Sequence, residues 1–500
     1  MRTKMHRFGL FVLGAIGAVA AVGCGGGGSS TPPPPPPVPS ILNINSSTTP
    51  TSPVNLPVEI NGSGFQAAPG KVVFTQGSVS ATVVPSAGGW SDTGIVAVVP
   101  AGNGTTNFAL PGTVSVTVVT SGGTSNAVTL NLIQTLSFSP SNLAWTTTMA
   151  LPTAKTGLRA VPVPGSASST AFAMVTGGFD GTANTNTVWA NNLNSDGTVG
   201  STTNTTWTTI TTNPLPDTRA HHAMAEADPT NSLVATTARF IYVIGGQKAL
   251  TDAPGGTNTV FMAGVDATTG AVGTWTALAN TLPQQLVGMS ATVYNGYLYV
   301  AGGLTTGGLP SNAVYSAPIK TDGTLGTWTT ATNALPTATA FGTMFAFGGK
   351  LYFINGDPNN SFTPNAQGLG TNNVYYASAL RGAVGTWTLN PNLTSKGRDK
   401  GILFAAFGQV IVGEGIYLGS PGSSEFEVTT VNPDGTLASW NGLTGSHIPN
   451  ANVYNAGAFV SPLISPTQTP RFLFLGGQAF TATSGPGGAL SNAVHVNSAP

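Results

Sequence analysis

Three arginines, Arg159, Arg219 and Arg398, each follow a recurring tryptophan by 11 to 14 residues. From residue 136 onward the chain has only six arginines, so three at one repeated place form a concentration. A guanidinium is a planar fork of donors that matches a carboxylate, and the chemistry expected of such a cluster is recognition of an anion. Lys155, Asp217, His221, Lys396, Asp399 and Lys400 sit at neighbouring positions of the same repeated stretch. Acid–base chemistry has thinner support. Asp217, Asp399 and Glu414 are the only carboxylates the pattern puts near the arginines, whereas glycoside hydrolysis ordinarily needs two facing carboxylates. Metal chemistry has less still. The histidines of this part are His221, His222, His447 and His495, and adjacent residues of a strand point to opposite faces, so His221 and His222 do not share an ion. The expectation is no metal and no cofactor.

What must position these residues is a repeat. Thr321-Asp322-Gly323-Thr324-Leu325-Gly326-Thr327-Trp328-Thr329 has close copies ending at Trp275 and Trp387 and looser ones at Trp145, Trp207 and Trp440. Between copies lies an apolar run closed by glycines: Gly177-Gly178, Gly245-Gly246, Gly302-Gly303 and Gly476-Gly477. Asn355-Gly356 and Glu414-Gly415 are weaker versions. The six tryptophans stand 62, 68, 53, 59 and 53 residues apart. Each unit reads as short strands, with the glycines permitting a turn and a close approach that a Cβ would block. The Asp322-Gly323 turn also resembles the sialidase Asp box, off by one residue, and reads as a hairpin turn between outer strands.

Composition agrees. Only 6% of the 500 residues are charged, 16 basic against 16 acidic, and no basic cluster could neutralise the phosphates of a duplex. With 66 glycines and 40% hydrophobic residues this is the composition of an ordered chain of strands and turns.

The N-terminus gives an address. Arg2, Lys4 and Arg7 precede the apolar run Phe8–Val22, and Ala21-Val22-Gly23-Cys24 resembles a bacterial lipobox. The resemblance implies cleavage before Cys24, the one cysteine of the chain, and lipid attached to it. Several acyl chains give the stable anchoring that one cannot. Gly25 stands where an inner-membrane retention signal would have Asp, which favours the outer membrane. Residues 24–40, with six prolines at Pro32–Pro37, read as a tether, the prolines forming a polyproline II rod.

Residues 41–134 alternate apolar and polar at strand period, as in Val114-Ser115-Val116-Thr117-Val118. Asn61-Gly62-Ser63-Gly64-Phe65, Val99-Pro100-Ala101-Gly102 and Gly122-Gly123-Thr124-Ser125-Asn126 resemble the turn motifs of IPT/TIG domains, which implies an immunoglobulin-like β-sandwich used as spacer or binding module. Residues 136–500, with a glycine pair and a tryptophan per unit of about 50 residues, resemble kelch repeats, which implies a β-propeller. Trp145 begins this part with no unit before it, and Ala493-Val494-His495-Val496 ends it with no tryptophan strand after it. The N-terminal strand is therefore expected to complete the sixth blade. A seven-bladed alternative needs an unrecognised copy in segments 190–206 or 228–238. The fold expected is all-β: a sandwich, then a six-bladed propeller.

Kelch geometry places the three arginines on one rim of the central channel; the structural alternative is that they pair with backbone or a neighbouring blade. The resemblance also raises galactose-oxidase chemistry, which needs a Tyr–Cys cross-link that Cys24, consumed by the lipobox, does not provide. The leading functional reading is a lipid-anchored, non-catalytic binding protein for a glycan or a protein partner, reaching the membrane only through Cys24. The second is an enzyme on an acidic sugar, either resembling the six-bladed kelch sialic-acid mutarotases or a glycosidase, with Glu414 as its acid or base. The third is a structural role in a surface layer or appendage.

Overall fold

The computed structural model describes residues 34–45, 50–133, 144–166, 170–200, 205–227, 239–249, 256–359, 370–416, 426–443, 453–462, 471–479 and 488–497. Cys24 and His447 lie outside them. The described chain is built of strands, with one 3-10 turn, Ala87–Gly89. Residues 36–500 form one compact unit.

Its N-terminal part is two sheets over one core. A three-stranded antiparallel sheet orders Ser40–Ile44, Pro57–Ser63 and Gly94–Val98. The second sheet orders Thr51–Pro53, Val128–Ile133, Gly112–Thr120, Lys71–Gln76 and Val79–Val83, with Gly123–Thr124 paired beside Gly112–Thr120. Period-two alternation sends Val58, Ile60, Phe74, Val114, Val116 and Val118 into the shared core.

Besides a two-stranded sheet that pairs Val453–Tyr454 with Gln478–Ala479, the rest is six sheets whose first strands are Arg159–Pro164, Ala223–Ala227, Ser290–Tyr294, Thr343–Phe347, Ile402–Ala406 and Gly457–Val460. Each runs antiparallel through four strands in order, the fourth sheet carrying an extra hairpin strand, Ala383–Val384. Successive first strands touch, and the sixth touches the first, so the sheets form a closed, propeller-like ring. The sixth sheet is completed from the other end of the chain: Trp145–Thr147 pairs antiparallel with Val494–Asn497, Trp145 opposite Asn497. This is the closure that the unmatched ends predict, and it removes the edge an open sheet would expose.

Three devices hold neighbouring sheets together, each repeated around the ring. Two residues before every first strand stands a residue with positive φ: Gly157, His221, Gly288, Phe341, Lys400 and Asn455, at φ 65, 53, 67, 56, 57 and 57°. The amide of each donates to the carbonyl of the one before it, at 2.7–3.2 Å, and Gly157 N–H closes the cycle on Asn455 O at 2.9 Å. We call this six-membered cycle the collar.

The glycine closures make a second cycle. Gly178, Gly246, Gly303, Gly356, Gly415 and Gly477 donate to the carbonyls of Arg219, Leu286, Thr339, Arg398, Val453 and Lys155 at 2.7–3.0 Å. The residue before each is left-handed as well, including Asn355 at φ 59° and Glu414 at φ 52°, so the two departures from the double glycine keep its backbone. A Cβ on Gly177 would stand 2.3 Å from Arg219 O, which is why glycine prevails there.

The tryptophans supply the third device. The indole N–H of Trp207, Trp275, Trp328, Trp387 and Trp440 donates to the carbonyls of Met149, Asn213, Asn280, Asn333 and Asn392 in the preceding unit at 3.0–3.3 Å. The amides of those four asparagines donate back to Val272, Leu325, Val384 and Leu437 at 2.7–3.0 Å. The Asp322 turn is structural: its Oδ1 accepts from the N–H and hydroxyl of Thr324.

Candidate functional site

Counting from the collar sorts the candidate residues by height along the ring's axis. Asp217 and Lys396 lie four residues before their collar residues. Lys155, Arg219 and Arg398 lie two before, and Asp399 one before. His221 and Lys400 are collar residues themselves. Arg159 lies two residues after. The expectation of one common arginine locus is therefore resolved into two. Arg219 and Arg398 are equivalent to Lys155, and Arg159 stands alone on a first strand.

The cations before the collar are fully buried within their own sheets, and what each meets is fixed by one place on the third strand. Lys155 Nζ sits over Trp189 at 4.4 Å and donates to Thr185 and Thr187. Burial pushes it down to about 8, opposed by the charge of Asp180. Arg219 lies over Phe261 at 5.0 Å and is paired with Asp217, which also holds Lys248 at 2.9 Å. In the fifth sheet Glu427 occupies the aromatic's place, and Arg398 forms an ion pair with it. Glu427 Oε2 also accepts the amide of Ser395 at 2.6 Å. Leu286 with Tyr315, and Thr339 with Tyr375, fill the same places without a cation. Lys396 is half-buried at the outer level, where Gln284 and Thr337 meet the hydroxyls of Tyr315 and Tyr375.

On the other side of the collar is a cavity of about 150 Å³, walled by the starts of all six first strands. Its wall is divided. Sheets five, six and one contribute Lys400, Asn455 and Arg159; sheets two, three and four contribute Met224, Met289, Met344 and Phe341. Arg159 is half-buried by accessible surface yet lies deep in the ring, so what it faces is the cavity. Its one hydrogen bond among the described residues is to Leu158 O at 2.8 Å, and it has no ion-pair partner there. Desolvation pushes its guanidinium down to about 10. Lys400 differs: it is paired with Asp399, and its Nζ lies over Phe341 at 4.3 Å.

His221 belongs to the same group, edge-on to Phe341 at 5.9 Å between ring centroids. Burial, then the charges of Arg159 and Lys400, push it down to about 3 against the opposing influence of the Asn455 side chain, so it is neutral at pH 7. A Cβ on Gly157 would lie 2.9 Å from its ring, and one on Gly288 2.4 Å from Phe341, so these glycines leave room for the two rings inside the collar. His222 points the other way, its Nε2 2.8 Å from Thr176 Oγ1, between the first two sheets. His495 stacks on Phe474, with burial pushing it down to about 4.

None of the three candidate acid–base carboxylates lines the cavity. Asp217 and Asp399 are in the ion pairs above. Glu414 is buried between the fifth and sixth sheets, Oε2 accepting the amide of Val453 at 2.7 Å and Oε1 without a hydrogen-bond partner among the described residues. Burial raises its carboxyl to about 8. Sequence reasoning missed Asn455, Phe341 and the methionines, because a collar asparagine or a wall methionine has no signature apart from its register.

Fold and site together define a class: an all-β, propeller-like ring around a small cavity whose one uncompensated charge among the described residues is an arginine. No family model matches the chain, and no curated protein matches it. Solved structures do, among them one described as "Structure of YjhT", 15% identical, covering 70% of this chain and 96% of that one with a TM-score of 0.47.

Proposed function

We propose that the protein is a non-catalytic binding module that takes a small organic anion, such as the terminal acidic sugar of a glycan, into the central cavity of a six-bladed kelch-type propeller. The observation that carries this reading is Arg159, a desolvated guanidinium lining a cavity where no carboxylate among the described residues neutralises it. A ligand carboxylate would supply the missing partner, with Asn455 and Lys400 beside it. Met224, Met289, Met344 and Phe341 would pack on the less polar side of the ligand. The volume is on the scale that holds a benzene-sized ring, so it takes the carboxylate-bearing end of one terminal residue and not a chain segment. The mutarotase or glycosidase reading has less support, because Asp217, Asp399 and Glu414 are engaged elsewhere.

Titration calorimetry against neutral and acidic monosaccharides tests this. Arg159→Ala should weaken binding of the acidic members about ten-fold or more, the size of one charge-assisted hydrogen bond. Arg159→Lys should restore part of it, since a point charge does not reproduce the fork. The variant should melt no lower than the parent, because it removes an unpaired desolvated charge. Equal affinity of parent and variant for every acidic sugar would dismiss the site.

The rest of the organisation follows the sequence: an immunoglobulin-like spacer at 41–134, a tether at 24–40, and lipid on Cys24 holding the protein to the outer membrane. Cys24→Ser should abolish fatty-acid labelling and release the protein from the outer-membrane fraction. Unchanged labelling would refute the anchor. The six-bladed reading is preferred over seven because residues 190–200 complete the first sheet through Val188–Leu193 and the bridge from Leu193 to Val199. Segment 228–238 lies outside the described residues.

A further inference from the structure

Among the described residues, one carboxylate is buried inside the junction between the N-terminal sheets and the ring, and it has no part in binding at the central cavity. Glu59 lies in the middle strand of the three-stranded sheet and is fully buried. Alternation sends its neighbours Val58 and Ile60 into the sandwich core, so Glu59 and Asn61 face the ring. There they meet the hairpin that follows the third sheet's first strand. Asn61 donates to Asn43 at 3.0 Å and to Asn295 at 3.2 Å. Tyr294 and Asn295 stand beside Glu59, yet neither of its carboxylate oxygens has a hydrogen-bond partner among the described residues. Tyr294 Oη accepts the amide of Gly349 from the fourth sheet at 2.7 Å, which ties the third and fourth sheets together beside Glu59. Arg381, from a fourth-sheet hairpin, donates to Gly62 O at 3.3 Å and brings a positive charge within electrostatic reach of Glu59. The titratable and charged groups facing Glu59 are thus Tyr294, Tyr299 and Arg381. The seat is tight around them: a Cβ on Gly349 would come 2.4 Å from Val96, and one on Gly408 2.5 Å from Leu56.

We propose that Glu59 is a pH-responsive latch: uncharged, it lets the N-terminal sheets sit firmly on the ring, and ionised, it loosens that seat. The side chains of Tyr294 and Asn295 and the charge of Arg381 favour the charged form, but exclusion from water opposes it more strongly and raises the carboxyl from 4.5 to about 7. The sign follows from proton counts. An opened junction, with Glu59 in water, binds fewer protons than the closed one between pH 4.5 and 7. The closed junction is therefore firmest in acid and loses stability as pH rises to about 7, with little further change above. The opening equilibrium should rise roughly ten-fold between pH 6 and pH 8.

Hydrogen exchange on the intact protein, corrected for the intrinsic pH dependence of exchange, reads this at the Gly349 amide and in segment 290–297. The parent should show the ten-fold loss of protection, and Glu59→Gln, an uncharged isostere, should show none. A parent whose protection is flat from pH 5 to 8, or a Glu59→Gln variant with the parent's slope, overturns the proposal. Should Glu59→Gln not fold, Arg381→Met provides a second reading. Removing that charge must shift the midpoint to higher pH, and an unmoved midpoint overturns the proposal equally. A latch that fails while Arg159→Ala still loses anion binding would leave the central site untouched.

Discussion

Arg398→Ala is expected to destabilise the protein by about 3–5 kcal/mol, the cost of leaving a buried carboxylate without its partner. Arg398 and Glu427 are almost wholly excluded from water, and the pair joins the run into the collar to the third strand of the fifth sheet. The repeat itself supplies the control. In the third sheet the same two places hold Leu286 and Tyr315, without a charge, and are just as buried. The double variant Arg398→Leu with Glu427→Tyr should therefore recover most of the loss, since well-packed apolar residues can replace a buried ion pair at little cost. Denaturant unfolding of the parent and both variants measures it. If Arg398→Ala unfolds at the parent's midpoint, the pair contributes nothing. If the double variant is worse than the single one, the equivalence of the two sheets fails.

The second large effect concerns closure. Removing residues 136–147 should lower the stability of the whole ring, not that of one sheet. Trp145 is buried among Phe404, Phe426, Phe472 and Phe474, its ring 5.3 Å from Phe426 and 6.0 Å from Phe404, so it packs on both the fifth and sixth sheets. Losing an aromatic from such a core costs about 3–5 kcal/mol. The deletion also strips Val494–Asn497 of its partner and leaves an open edge. Both backbone cycles pass through the sixth sheet, so loosening it loosens the links to the first and the fifth. Thermal unfolding should show a single transition at lower temperature, with aggregation at the exposed edge. A truncated protein that melts with the parent would show that the ring stands without its last strand.

Much of this was legible in the chain. Period-two alternation and turn residues declare strands. The glycine closures declare positions where a left-handed backbone passes close to a neighbour, and the structure puts all six in one hydrogen-bonded cycle. An unmatched tryptophan strand at one end and an unfinished unit at the other declare ring closure, because a sheet edge left open at both would be costly. These are local or counting properties, and sequence carries them.

Height along the axis is not such a property. The tryptophan and the collar residue are separated by 12 to 15 residues, and that slack of three hides a difference of four. Arg159 follows its tryptophan by 14 and lies two residues past the collar; Arg219 and Arg398 follow theirs by 12 and 11 and lie two before it. Only the tertiary register puts the first into the cavity and the other two into ion pairs. Glu59 is the second case. By alternation it belongs on the outer face of a sheet, where sequence expects water. The hairpins of a ring more than 200 residues further along the chain replace that water with Tyr294, Asn295 and Arg381, and packing between distant segments decides whether its charge survives.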